Sequence, residues 1–215
     1  MSAEPVNGIE ARIRAVVEGR EKLVIDLHDD AGTPIGRLVP LTEAHLTDEA
    51  VIGKLTDWRN ASMDSFLTQF TATPERTRNW LRNGVLASST QMIFLIEADD
   101  VLIGHFGFKE LTHETVLLDN AMRGTRGGHP KLLQIAGRAL IDWLFASAGV
   151  RTVTGYVLST NPAAIMLNRA IGFDRWDKLP VRREEIDGEV HLVMGEPGEA
   201  SADGTYCYRL EKDAP

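Results

Sequence analysis

The stretch Leu117–Leu133, LLDNAMRGTRGGHPKLL, constrains the fold of this chain more than any other. An apolar run holding Leu117, Leu118, Ala121 and Met122 passes directly into Arg123-Gly124-Thr125-Arg126-Gly127-Gly128, and His129-Pro130 opens a segment of helical periodicity. Strand, glycine-rich turn and helix start, in that order, bring free backbone N–H groups and a positive dipole end to one point. Gly124, Gly127 and Gly128 let the backbone approach phosphate oxygens, and Arg123, Arg126 and Lys131 add positive charge. Proline in a first helical turn gives up no needed hydrogen bond. The spacing therefore predicts a helix from about Pro130 to Ser147, with Leu132, Ile135, Ala136, Leu140 and Trp143 on its buried stripe and Gly149 as its stop. The stretch reads as a phosphate or pyrophosphate site, against the alternative of a glycine-rich connection without a ligand. A Walker loop is excluded, because His129 stands where the second glycine is needed, four intervening residues after Gly124, and Lys131 is followed by Leu132. The dinucleotide fingerprint also fails, on glycine spacing.

Charge and cysteine content narrow the function classes. The 215-residue chain has 23 Lys and Arg against 31 Asp and Glu, a net charge of −8 that argues against a general nucleic-acid binder. Cys207 is alone, so no disulfide framework or cysteine metal cluster is expected. His28-Asp29-Asp30 and His113-Glu114 lack a third ligand at useful spacing, so no metal is expected. The absence of a long apolar run and of a leader pattern gives a cytoplasmic protein without membrane contact as the expectation.

Elsewhere the periodicities set out an alternating order of elements. Met1–Gly8 reads as mobile. Ile9–Glu18 alternates in apolarity and predicts a half-buried strand; Leu23–His28 and Ile35–Leu41 predict two more, joined at Asp29-Asp30-Ala31-Gly32. Helices follow at Asp48–Asn60 and from Thr73-Pro74-Glu75. Gln91–Glu97 and Val101–Lys109 form a hairpin about Asp99-Asp100, and Thr115–Met122 feeds the glycine loop. A strand Arg151–Leu158, a helix from Asn161-Pro162 to Gly172, a polar hairpin region beyond Trp176 and a strand Tyr206–Leu210 complete the chain. This divides into an N-terminal β extension, residues 1–34, and one domain, residues 35–215.

That order, with two motifs, resembles the GNAT (Gcn5-related N-acetyltransferase) superfamily. The family's signature Arg/Gln-x-x-Gly-x-Gly/Ala is matched at its ends by Arg123 and Gly128, with Arg126 where its first glycine belongs. Asn161–Phe173 is similar to the family's Asn-x-x-Ala/Ser-x-x-Leu-Tyr-x-x-x-Gly-Phe helix, with Asn168 in place of the tyrosine. The resemblance implies an α/β (α+β) fold: a mixed central sheet, splayed where acetyl-CoA binds, with helices on both faces. It implies acetyl-CoA as co-substrate, held by Met122, Arg123, Gly124, Arg126, Gly127, Gly128, His129, Lys131, Asn161 and Asn168. Attack by a neutral amine on a thioester needs a base and an oxyanion donor. Candidate bases are Asp119, Glu110, His113, Glu114 and His105, each weighed against an ordinary structural role. Asp119 ranks first, because it interrupts an apolar strand. Asn168 is a candidate partner for the sulfur, and a backbone N–H of Asp119–Met122 for the oxyanion.

Trp58-Arg59-Asn60 and Leu167-Asn168 resemble the branch acting on nucleotide-linked amino sugars, which puts Arg59 and Asn60 near the acceptor; the alternative is a dipole-matched helix end. The leading expectation is acetyl transfer to the amine of a small molecule, a nucleotide-linked amino sugar, by a monomer or homodimer. A protein N-terminal or lysine acetyltransferase and a non-catalytic CoA-binding module are the alternatives.

Overall fold

The structure, a computed structural model, describes residues 6–215. The expected mobile stretch therefore lies largely outside it. The first described element overturns an expectation: Val6–Val17 is a helix, α1, where alternation predicts a strand. Ile9, Ile13, Val16 and Val17 are at most 2% exposed, whereas Ala11 is exposed. That buried set follows a helical face. The period-two pattern arises only because the small residues Ala11 and Ala15 count as apolar on either reading. Arg14 donates to the carbonyls of Leu86 and Ala87, which fastens α1 to its own chain.

Strands β1 (Ile25–His28) and β2 (Pro34–Pro40) form the expected hairpin. Asp29 shapes its turn by accepting the N–H groups of Ala31 and Thr33. Helix α2 (Glu49–Ala61) starts where the Asp48 carboxylate accepts from Ala50 and Val51. A two-residue strand, β3 (Thr68–Gln69), precedes α3 (Pro74–Trp80), which Thr73 caps and which runs on into a π-helical turn, Leu81–Val85. Strands β4 (Met92–Ala98) and β5 (Val101–Lys109) turn at left-handed Asp99 and Asp100. Strand β6 (Thr115–Arg123) enters the glycine loop. Helix α4 (Leu132–Trp143) begins two residues after Pro130, which lies in the preceding turn, and continues through Leu144–Ala148 to left-handed Gly149. Then come β7 (Thr152–Leu158), α5 (Pro162–Ile171), β8 (Arg175–Ile186), β9 (Glu189–Met194) and β10 (Tyr206–Asp213).

The strands lie in the order β1-β2-β4-β5-β6-β7-β10-β8-β9-β3. β6 and β7 pair in parallel, and the other neighbours are antiparallel. Successive residues on a strand face opposite sides, and helices cover both. On one side Trp58 of α2 stacks on His105 of β5, with ring centroids 6.2 Å apart. On the other, Phe94 and Phe108 meet Trp143 of α4 edge-on or tilted. A Cβ at Gly137 would come within 2.7 Å of Phe106, so glycine there lets α4 lie close to the sheet. The expected mixed sheet with helices on both faces is what the chain forms. Of the expected β extension, residues 1–34, the described part becomes one helix and an edge strand of that same sheet.

Candidate active site

The parallel pair β6–β7 is short. Thr115, Val116 and Leu117 pair with Thr152, Val153 and Thr154, and the register stops there. Beyond it β6 stays with β5 as far as Arg123, while β7 stays with β10 as far as Leu158. The sheet thus splits into a V. A cavity of about 530 Å³ opens at the split, lined on one side by Leu117–Asn120 and on the other by Tyr156–Leu158. Its outer wall is the segment between α2 and α3, Ser65–Phe70, which β3 ties to the β8–β9 hairpin through Thr68↔His191 and Gln69↔Val190.

The cavity is aromatic and positively charged, in a chain whose net charge is −8. Phe66, Phe70, Trp80 and Tyr156 line it, with Arg59, Arg76, Lys109 and a single carboxylate, Asp119. The Arg59 guanidinium lies between the Phe66 and Phe70 rings, 4.1 and 4.2 Å from their centroids, and donates from Nη2 to the Thr68 carbonyl at 2.7 Å. Its Nη1 is buried with no hydrogen-bond partner among the described residues. Burial, and then the neighbouring Arg76, push this guanidinium below its ordinary pKa. Arg76 stacks on Phe70 and is paired with Glu189 of β9. Asp119 is held by Lys109 Nζ at 3.0 Å and by the Asn120 side-chain amide at 3.1 Å. Cys207 is on the cavity floor, but burial raises its thiol to about 11, which keeps it protonated and poorly nucleophilic.

A bulge shapes the cavity side of β6. Pairing with β5 shifts between His105 and Gly107, and Asn120 takes a left-handed conformation, φ 55°. His105 is buried and donates from Nδ1 to the Asn120 carbonyl at 2.7 Å. Burial lowers its pKa to about 4, so the imidazole is neutral at physiological pH and is no strong base. The Trp58 ring stacked on it also supports the glycine loop, since a Cβ at Gly124 would fall 1.8 Å from that ring.

In the loop, Gly124 and Thr125 donate to the Ile103 carbonyl. Among the described residues the N–H groups of Arg126, Gly127, Gly128 and His129 have no acceptor. Left-handed Gly127 and Gly128, φ 143° and 63°, permit this row of exposed donors. Arg123 takes a different part from the expected one. Its guanidinium donates to the carbonyls of Gly127, His129 and Pro130 and braces the loop from within. His129 accepts the Lys131 N–H on Nδ1, Lys131 sits 3.4 Å from Asp30, and Arg126 is exposed.

Other candidates are not among the residues that line the cavity. Asn60 exchanges two hydrogen bonds with the Ala72 backbone, so it anchors the α2–α3 segment and is not among the lining residues. Glu110 is an exposed, left-handed turn residue outside the lining. Asn161 caps α5 by accepting from Ala164. Asn168 donates its amide to the Ala164 carbonyl one turn back, at 2.9 Å. Met122 is buried against a smaller chamber. His113 and Glu114 are exposed, and no group of three metal-ligating side chains occurs among the described residues. The structure therefore brings Arg59 and Asp119 together and leaves Asn60 and Glu110 outside. Phe66, Phe70, Arg76, Trp80 and Tyr156 were not legible as site residues: aromatic and basic side chains on amphipathic elements give no local sign of facing a cavity.

The splayed sheet with a donor-rich loop defines an acyltransferase fold. A probable GNAT-family acetyltransferase from Chromobacterium violaceum shares it, with a TM-score of 0.62 at 14% identity over 83% of each chain. The Salmonella typhimurium acetyltransferase that modifies the N-terminal serine of ribosomal protein L7/L12 gives 0.62 at 13%, over 90% of this chain and 100% of that one. The microcin C7 self-immunity acetyltransferase MccE, in complex with acetyl-CoA and AMP, gives 0.60 at 12%, over 84% and 93%. At such identities the likeness is one of fold. No curated protein has significant sequence similarity to the chain. The family model for the acetyltransferase (GNAT) domain matches residues 37–174, well over half of the sequence, and the chain belongs to that family. It is an acetyltransferase. Strands β8, β9 and β10 fall outside the matched stretch.

Proposed function

We propose that the chain transfers an acetyl group from acetyl-CoA directly to the primary amine of a small acceptor, a nucleotide-linked amino sugar. The observation that carries this reading is the charge of the cavity: Arg76 is paired with Glu189 and Lys109 with Asp119, which leaves Arg59 uncompensated, with one guanidinium N–H buried and unpartnered among the described residues. An ammonium alone is repelled by such a lining, whereas an amine that also carries phosphate is attracted to it. The flat aromatic walls suit a nucleobase or sugar face, and the β3–β9 pairing walls off a groove that an extended peptide needs. A fold relative, MccE, binds AMP together with acetyl-CoA, which is compatible with a nucleotide part in the acceptor.

The loop residues fit the cofactor. The free N–H groups of Arg126–His129 suit a pyrophosphate, with Arg126 and Lys131 adding charge and Arg123 keeping the loop in shape. Acetyl-CoA supplies the activated thioester. The cavity at the V gives an acceptor amine a place to meet it, with β6 backbone donors available to the oxyanion. Asp119, held by Lys109 and Asn120 on the cavity wall, takes the ammonium proton through water. Removing the carboxylate while keeping the shape, Asp119→Asn, is expected to lower kcat by about 100-fold, the usual weight of a general base. Thiol release measured with nucleotide-linked amino sugars, polyamines and peptide amines tests the acceptor. Turnover confined to polyamines or peptides would reject it.

A further inference from the structure

Two side chains that line a small chamber beside the cavity are complementary in what they can still offer. Arg59 Nη1 is a buried donor without an acceptor among the described residues. His105 is the converse case. A carbonyl only accepts, so the 2.7 Å contact with Asn120 puts the ring proton on Nδ1 and leaves a bare lone pair on Nε2. Both residues line one chamber of about 30 Å³, together with Thr77 and Asn120. That volume suits a single water, and the polar lining provides the two to four partners a buried water needs. Arg59, Phe66, Thr77, Trp80 and Asn120 line this chamber and the acceptor cavity alike, so the two share a wall.

We propose that a water in this chamber accepts from Arg59 Nη1 and donates to His105 Nε2, making His105 a positioning residue for the acceptor site. Through Nδ1 the imidazole holds the Asn120 carbonyl, and with it the bulge that sets Asp119 on the cavity wall. Through Nε2 and the water it fixes the edge of the Arg59 guanidinium that Phe66 and Phe70 clasp by its faces. The neutral ring also adds no further cation to a wall that already carries Arg59. His105 thus joins the two ends of an acceptor, the amine at Asp119 and the anion at Arg59, without touching either. This rests on the cavity being the acceptor site, as proposed above.

Three measurements test it. In ¹⁵N-histidine-labelled protein at pH 7, two-bond ¹H–¹⁵N spectra are expected to show His105 as the Nδ1–H tautomer. An Nε2–H tautomer or a doubly protonated ring overturns the proposal. A high-resolution crystal structure is expected to show one ordered water between the two nitrogens, and a dry chamber overturns it. The third uses two variants: His105→Asn keeps a donor where Nδ1 lies, whereas His105→Gln places its amide near Nε2 and loses that donor. With the best amine of the thiol-release panel, kcat/KM is expected to fall about tenfold or more for His105→Gln, which loses the Asn120 link, and about threefold for His105→Asn, which loses only the link to the water, with acetyl-CoA Kd unchanged in both. Wild-type kinetics in His105→Gln, or loss of acetyl-CoA binding in both variants, overturns a positioning role. If no amine in the panel turns over, the acceptor reading fails, and the tautomer and the water still decide this one.

Discussion

Arg126 is the loop cation with the least structural employment. Arg123 is spent on three carbonyls and Lys131 is near Asp30, whereas Arg126 is exposed beside the free N–H groups. Arg126→Glu puts a repelling charge next to the proposed pyrophosphate site. It is expected to weaken acetyl-CoA binding at least about tenfold by calorimetry, with little change in stability. Asn168 gives the opposite result. One N–H of its amide is committed to the Ala164 carbonyl, which ties the side chain back along its own helix and leaves a single free N–H for any departing thiolate. Asn168→Ala is therefore expected to keep kcat within about threefold, a shift of the size of one neutral hydrogen bond at most. A drop of two orders of magnitude would return Asn168 to the catalytic machinery.

Among the elements, α1 carries a large energetic weight. Burying Ile9, Ile13, Val16 and Val17 contributes about 1.5–3 kcal/mol each, a sum comparable with the whole stability of a typical domain. A chain shortened to begin at Lys22 is thus expected to aggregate or to melt far below the full chain in differential scanning calorimetry. Equal melting temperatures would show α1 to be dispensable. The same helix marks where the sequence misleads. Caps and turns are local chemistry, and Asp48, Thr73-Pro74, Asp99-Asp100, Gly149 and Gly172 could each be read as they stand. Between Ile9 and Val17 two periods fit, and only packing against the rest of the chain decides between them. The glycine loop was legible as a donor cradle, but not the inward turn of Arg123, because a guanidinium near phosphates and one bracing carbonyls look alike in sequence. Likewise the pairing of β3 with β9 joins residues more than a hundred positions apart, and two residues leave no periodicity to read.

For the molecule as a whole, His105 couples stability to pH. Its folded pKa of about 4 lies below the ordinary 6.5, so between those values the unfolded chain binds more protons than the folded one. Stability then falls as pH drops from 6.5 toward 4, by roughly 3 kcal/mol from this group alone, and is unaffected by it above 6.5. The full chain is expected to lose melting temperature across that window more steeply than His105→Phe, which retains a ring against Trp58 but has nothing to titrate. Parallel profiles would mean the imidazole is freely protonated in the fold.

The position of β10 has a consequence for how the protein is made. Tyr206–Asp213 lies between β7 and β8, both of which leave the ribosome before it. Until it arrives, β7 presents a bare edge and the β8–β9–β3 ribbon has nothing to join, a state that invites pairing with other nascent chains. The glycine loop between β6 and α4 belongs to the part already emerged, whereas the strand that joins the β8–β9 hairpin to the cavity does not. A translation product halted at residue 205 would then have the glycine loop without a closed cavity. Its exposed edges would leave it prone to aggregation or degradation.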